Sequence, residues 1–180
     1  SPGYDYAFDL ALGSAGQMYV SGYTQGAFPG FTKIGNDDAF VAALDAGGNL
    51  QWVHQFGAAA GTFTRSFGVA VASDGSVYTA GHTGASLAGQ PYSGQLDAFV
   101  RKLSPSGSPL WTQQYGTTTS DEARGIAVDA AGNIVVGSTM GSASPNYFNI
   151  ARFSPDGSSL SQTQYNGMSS PNVAFTSAFT

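Results

Sequence analysis

The chain has 180 residues, of which only 9% are charged, with a formal net charge of −5 and no cysteine. The lack of cysteine excludes disulfides, thiolate metal sites and cysteine nucleophiles. Six Lys and Arg residues, of which only Arg101 and Lys102 are adjacent, form no basic run, so we expect no nucleic-acid partner. No apolar run approaches the roughly 18 residues of a membrane-spanning helix, so the sequence predicts no transmembrane segment.

The first predicted repeat covers residues 4–57 and contains four short strands. Its first strand begins near Phe8, and its third is the segment Asp-Ala-Phe-Val-Ala-Ala-Leu that starts at Asp38. A Gly-containing turn follows, and then Leu-Gln-Trp ending at Trp52.

The second repeat, residues 58–116, has the same segments in the same order, at the spacing of 59 residues that separates Phe40 from Phe99. Trp111 corresponds in the same way to Trp52. Matching aromatics at one place in each repeat usually pack between neighbouring sheets, so we expect these four aromatic side chains to form structural core. Stacking of the tryptophans on a carbohydrate is the alternative. The predicted strands are 67–72, 76–81, 97–103 and 110–115.

The third repeat, residues 117–167, departs from this pattern. Tyr147 and Phe148 stand near the position of the Asp-Ala-Phe-Val opening, and Ser161 stands near that of the tryptophan. Residues 168–180 are predicted to begin a further repeat, with a strand at 173–179.

Four short strands in each repeat, without helical periodicity, are typical of a β-propeller blade. The sequence therefore predicts an all-β fold of about three four-stranded antiparallel blades plus the first strand of a fourth. Residues 1–180 are interpreted as one β-propeller segment.

Several motif segments resemble those of the bacterial seven-bladed β-propeller repeat family: residues 97–107, 110–111, 115–116 and 125–136. The segment Leu-Asp-Ala-Gly-Gly-Asn-Leu-Gln-Trp at 44–52 is more distantly similar to quinoprotein-like propeller repeats. The first resemblance covers nearly the whole chain and implies an extracellular or cell-envelope module of a bacterium. It implies no particular activity.

Three repeats are fewer than the four to eight blades of a closed propeller. The sequence therefore predicts a partial propeller that is completed by the remaining blades of a longer protein or by a second chain. An open arc leaves sheet surfaces uncovered, and this favours an oligomer.

Acidic residues before the third strands are candidate metal ligands, namely Asp37, Asp38 and Asp97. Carboxylates in that position could bind calcium, but an Asp there also caps its own loop by accepting backbone N–H groups. We expect no resident cofactor, with calcium as the alternative.

Asp121 and Glu122 precede the first strand of the third repeat. A carboxylate pair there could bind a metal or transfer protons, whereas an ion pair between Glu122 and Arg124 is the structural interpretation. His54 and His82 are the only histidines, too few by themselves for a zinc site.

Two long connections, 25–36 and 84–95, carry Phe28, Phe31 and Tyr92. Loops on a rigid scaffold often hold binding residues, so these aromatics are predicted interaction residues. Variable surface loops without a role are the alternative.

No catalytic or cofactor motif is present, so the sequence favours a non-catalytic interaction or structural module of a bacterial extracellular or cell-envelope assembly. One alternative is part of a propeller enzyme whose central-channel site needs blades outside this chain. Another is an outer-membrane assembly scaffold, or a quinone-dependent dehydrogenase, of the quinoprotein-like type.

Overall fold

A computed structural model describes residues 1–141 and 147–165. Within these residues, twelve strands form three four-stranded antiparallel sheets, and no helix is present. The strands are β1 (Asp5–Leu12), β2 (Met18–Thr24), β3 (Asp38–Leu44), β4 (Leu50–Phe56), β5 (Thr64–Val71), β6 (Val77–Thr83), β7 (Asp97–Leu103), β8 (Pro109–Tyr115), β9 (Glu122–Val128), β10 (Ile134–Met140), β11 (Tyr147–Phe153) and β12 (Ser159–Tyr165).

Each sheet is a meander of four consecutive strands, β1–β4 in sheet 1, β5–β8 in sheet 2 and β9–β12 in sheet 3. The predicted all-β fold of three four-stranded antiparallel sheets is confirmed. The strand predicted at 173–179 lies outside the described residues. In the part of the chain described here, no helix could span a membrane.

Several strand boundaries differ from the prediction, and in sheet 2 the larger differences arise because buried polar residues resemble loop residues in sequence. Strand β5 begins at Thr64 rather than at Phe67, and β6 extends to Thr83. The hydroxyls of Ser66 and Thr79 lie 2.7 Å apart, both fully buried, and so satisfy each other inside the sheet.

The first strand of every sheet carries a β-bulge at the same place. The extra residue is Phe8 in β1, Phe67 in β5 and Arg124 in β9. Opposite the bulge of β5 stands Gly81, where a Cβ atom would overlap the carbonyl oxygen of Arg65. Glycine at this position lets the first two strands of sheet 2 approach closely, whereas sheet 3 forms its bulge with Ser138 at the equivalent position.

The apolar core lies between successive sheets. Sheets 1 and 2 share a buried cluster that includes Tyr19, Val41 and Leu103. Sheets 2 and 3 share a second cluster that includes Tyr78 and Phe153. Each sheet thus stabilises its neighbour by removing one apolar face from water.

Candidate functional site: an open sheet face and the junctions between sheets

The two sheet junctions contain the same tryptophan contact. The indole Nε1–H of Trp52 donates to the carbonyl oxygen of Pro105, at 3.0 Å, in the β7–β8 turn of sheet 2. The indole of Trp111 donates in the same way to Pro155 of sheet 3, at 3.1 Å. We call this the Trp–turn contact. Both tryptophans are partly buried against the inter-sheet clusters.

A glycine in the receiving turn makes room for the indole ring. A Cβ atom on Gly107 would lie 2.7 Å from the Trp52 ring, and one on Gly157 would lie 2.9 Å from the Trp111 ring. The corresponding glycine of sheet 1 is Gly48, which has a φ of 84°, as Gly107 has. No described atom lies within 4 Å of the position of a Cβ on Gly48, so the first sheet has the turn without the tryptophan.

One face of sheet 1 is apolar and open. On sheet 2 the equivalent residues Val69, Val77 and Leu103 are at most 1% exposed, because they pack against sheet 1. Their counterparts on sheet 1, at the spacing of 59 residues, include Leu10, which is 43% exposed. Adjacent residues of the same face, Leu12 and Leu50, are 55% and 60% exposed. Large exposed apolar patches of this kind mark interaction sites.

Two of the aromatic residues predicted in the core, Phe40 and Phe99, lie at equivalent positions of sheets 1 and 2. Phe99 is fully buried and packs edge-on against Phe56 of sheet 1, with ring centroids 5.6 Å apart. Phe40, its counterpart on the open face of sheet 1, is 6% exposed because the ring of Phe28 covers it at 5.2 Å.

The long connection of sheet 1 is held to its own sheet rather than projecting from it. The backbone N–H of Phe28 donates to Gln55 Oε1 at 2.9 Å. The equivalent residue of sheet 2 is Leu87, whose N–H makes the same bond with Gln114 and whose side chain is buried against sheet 1. Phe28 is only partly buried, so it extends the open apolar face.

The other two predicted interaction residues are not part of this face. Phe31 packs edge-on against His54, with ring centroids 6.3 Å apart. Tyr92 is 40% exposed, and its hydroxyl donates to the carbonyl of Gln95 in the same loop.

A row of aromatic and charged residues lies along the first two strands of successive sheets. The bulge residues meet there, since the rings of Phe8 and Phe67 are 5.1 Å apart and the guanidinium of Arg124 lies 4.6 Å from the Phe67 centroid. The Nδ1 atom of His82 lies 3.7 Å from Glu122 Oε1, and Glu122 also pairs with Arg124. The sequence did not predict that His82 lies beside Glu122, because the two residues are far apart along the chain.

The chemistry available to His82 is limited by burial. Burial, together with the positive charges of Arg65 and Arg124, lowers its pKa to about 3. The imidazole is therefore neutral near pH 7, and only 5% of the residue is exposed. This group positions its neighbours but presents little surface to a substrate.

The acidic candidates of sheet 1 already have partners. Asp37 pairs with Arg65 at 2.5 Å and accepts a hydrogen bond from Gln25. Asp38 accepts the backbone N–H groups of Ile34 and Gly35 and a bond from the Gln55 amide. Asp38 therefore acts as a loop cap, and its carboxylate is fully satisfied.

The acidic candidates at the next junction, Asp97 and Asp121, are both fully buried. Oδ2 of Asp97 accepts bonds from Ser93 N–H and the Gln114 amide, whereas its Oδ1 has no partner among the described residues. Burial raises the pKa of Asp121, and the Asp97 carboxylate raises it too, although the donors on Thr117 oppose this.

A cavity of about 360 Å³ lies between sheets 1 and 2 beside Trp52 and is also lined by Tyr19, Gln17 and Pro105. Within the described ranges, no group of three or more His, Asp or Glu residues could hold a metal ion. Comparison of the sequence with protein-family models gave no match, and comparison with curated proteins gave none either.

Proposed function

We propose that the chain is a non-catalytic structural and interaction module of a bacterial extracellular or cell-envelope assembly. Its three sheets act as successive blades of a β-propeller. The open face of sheet 1 packs against a further sheet of the same repeat, supplied by more of the polypeptide or by another chain.

The observation that carries this proposal is the repeated Trp–turn contact with one vacant receiving turn. Two successive junctions are built alike, which supports a constant relation between neighbouring sheets. Gly48 has the backbone conformation of Gly107 but no indole above it. The matching occupant is the outer strand of a sheet that carries tryptophan at the position of Trp52 and Trp111.

The third sheet of a second copy of this chain is a poorer occupant. Its outer strand has Ser161 at the position of the tryptophan, so it cannot donate an indole N–H to the vacant turn. We therefore favour a tryptophan-bearing repeat as the natural partner. Self-association through the apolar face is the weaker interaction expected of the chain alone.

The extracellular or cell-envelope setting rests on the sequence. The resemblance of the repeats to a bacterial propeller family supports it, as does the low share of charged residues, 9%. Few charged side chains also suit a module whose sheets are covered on both faces in the assembled protein.

Light scattering of the purified chain with a solubilising variant tests the interaction surface. The wild type should show a molar mass above the 18.4 kDa of one chain, rising with concentration. The double variant Leu10→Lys, Leu12→Lys should be monomeric with nearly unchanged stability, because both side chains are already about half exposed.

The matched control places the same charges elsewhere, as Thr118→Lys with Ala130→Lys, at two exposed positions outside this face. This variant should associate as the wild type does. A wild-type chain that stays monomeric at all concentrations, or a control that loses association equally, would show that the face needs no partner.

A further inference from the structure

Two carboxylates are buried together at the junction of sheets 2 and 3. Oδ1 of Asp97 and Oδ2 of Asp121 each lie 2.7 Å from the position that a Cβ on Gly116 would occupy. Both residues are 0% exposed. Burying two neighbouring negative charges is costly unless a positive charge compensates them.

The protein supplies no such charge among the described residues. The ion pairs of its Arg side chains involve Asp37, Glu122 and Asp129, not these two carboxylates. The missing positive charge must therefore be a bound cation or a proton.

Hydrogen-bond donors surround the pair and leave one carboxylate oxygen open to a cation. Asp121 accepts bonds from the N–H and hydroxyl of Thr117 and from the N–H of Gly141. Asp97 accepts two more on Oδ2. Donors of this kind stabilise the ionised carboxylate. The one oxygen left without a donor, Oδ1 of Asp97, is fully buried and lies on the side where the two carboxylates meet.

The junction of sheets 1 and 2 provides an internal comparison. Asp38 corresponds to Asp97, but its Oδ1 accepts the N–H of Gly35 at 2.7 Å. The position of Asp121 is occupied there by Thr64, and the other buried acid of that junction, Asp37, is paired with Arg65. Only the second junction therefore combines an unsatisfied carboxylate oxygen with a neighbouring acid that has no basic partner among the described residues.

We propose that Asp97 and Asp121 bind a divalent cation, with Ca²⁺ as the best match, between sheets 2 and 3. The Thr117 hydroxyl, 3.1 Å from both oxygens of Asp121, is a further oxygen donor in reach. Calcium prefers oxygen ligands and accepts irregular geometry completed by water, whereas Mg²⁺ demands a regular octahedron. A bound ion would join the β7 entrance to the β9 entrance and so stabilise the junction.

Calorimetric titration of Ca²⁺ into the metal-stripped 180-residue chain tests the site. With only two carboxylates, the expected dissociation constant is about 10⁻⁴–10⁻³ M, the range of extracellular calcium modules. Asp97→Asn should weaken binding at least tenfold. Asp121→Thr should do the same without loss of folding, because the protein itself has threonine at the equivalent position of the first junction. Asp38→Asn, the matched control, should bind Ca²⁺ as the wild type does.

Three results would overturn the proposal. The first is the absence of Ca²⁺ binding up to about 10 mM in a wild-type chain whose folding is verified by circular dichroism. The second is unchanged binding in Asp97→Asn and Asp121→Thr. The third is a metal-free wild type that takes up one proton on folding near neutral pH, an uptake that Asp121→Thr abolishes, since the pair would then share a proton instead.

Discussion

Lowering the pH from 7 to 5 should destabilise the protein through its two buried histidines. Burial, together with the positive charge of Arg101, lowers the pKa of His54 to about 4. The pKa of His82 falls to about 3 for the same physical reasons. Both imidazoles therefore stay neutral in the folded protein at a pH where exposed histidine is charged.

The direction and size of the effect follow from proton linkage. Below pH 6.5 the unfolded chain takes up two protons that the folded chain does not, so stability falls as the pH falls toward the folded pKa values. Each histidine costs about 1.4 kcal/mol per pH unit. From pH 7 to pH 5 the two together remove about 4 kcal/mol, a large part of the roughly 5–15 kcal/mol that stabilises a typical domain.

Other groups titrate differently and can be separated from the histidines. Hydrogen bonds in the turns lower the pKa of the exposed aspartates Asp45, Asp74, Asp129 and Asp156, so their contribution is lost only at lower pH. The raised pKa of Asp121 acts in the opposite direction, because the folded state then holds its proton more tightly. The contribution of Asp121 to the pH dependence is the same in the histidine variants and in the wild type, so it cancels when the two are compared.

Urea unfolding at pH 7, 6 and 5 measures the effect with variants that the repeat itself suggests. His54→Gln and His82→Tyr introduce the residues found at the equivalent positions, Gln113 and Tyr23. Each variant should remove about half of the pH dependence between 6.5 and 5, and the double variant nearly all of it. Equal slopes for wild type and double variant would refute the reasoning.

Three further substitutions test the packing. Trp111→Ala should lower the free energy of unfolding, measured by chemical denaturation, by about 2–4 kcal/mol, because a partly buried indole and its hydrogen bond to Pro155 are lost. An unchanged free energy of unfolding would contradict the structural role of Trp111. Arg101→Met should leave the free energy of unfolding unchanged or raise it, since burial lowers the pKa of this guanidinium to about 10 and its Nε has no hydrogen-bond partner. A loss of more than about 2 kcal/mol of that free energy would reveal a missed interaction. Gly81→Ala should lower the melting temperature strongly, because the facing strand must shift to avoid overlap, whereas Gly30→Ala, with a φ of 84° but open space, should cost only about 1 kcal/mol. Similar melting temperatures for the two variants would contradict the predicted overlap.

The repeat made much of the fold predictable from sequence. The segments that begin at Asp38 and Asp97 mark β3 and β7 at their observed first residues. The shared spacing of Trp52 and Trp111 predicted aromatic packing between sheets. These features are local patterns repeated at fixed intervals, and such patterns are visible without knowledge of three-dimensional contacts.

The candidate site was less predictable because its partners are distant in sequence. No local sequence pattern links His82 to Glu122. No local pattern shows that both carboxylate oxygens of Asp38 accept hydrogen bonds whereas only one oxygen of Asp97 does. That difference depends on which loop N–H groups point at each carboxylate. Comparison of Thr64 with Asp121 at equivalent positions was the available signal, since it marks the junction where the following sheet adds an acid of its own.

The turn of sheet 1 that holds Gly48 receives no indole from the described residues, and an added sheet can supply one. A second copy of residues 58–119, placed directly before residue 4, would supply a sheet whose tryptophan reaches the turn that holds Gly48. This fusion keeps the natural length of the connection between sheets, because residues 116–121 join β8 to β9. The control carries Trp111→Ala in the added copy only, so that length and composition stay matched.

The melting temperature of this fusion, compared with its control, tests the central claim that the open face of sheet 1 receives a tryptophan-bearing sheet. The account predicts one cooperative transition, at a higher temperature than for the original chain and lowered again in the control, with reduced self-association. A fusion that melts at the temperature of the original chain, or no higher than its control, would contradict the claim.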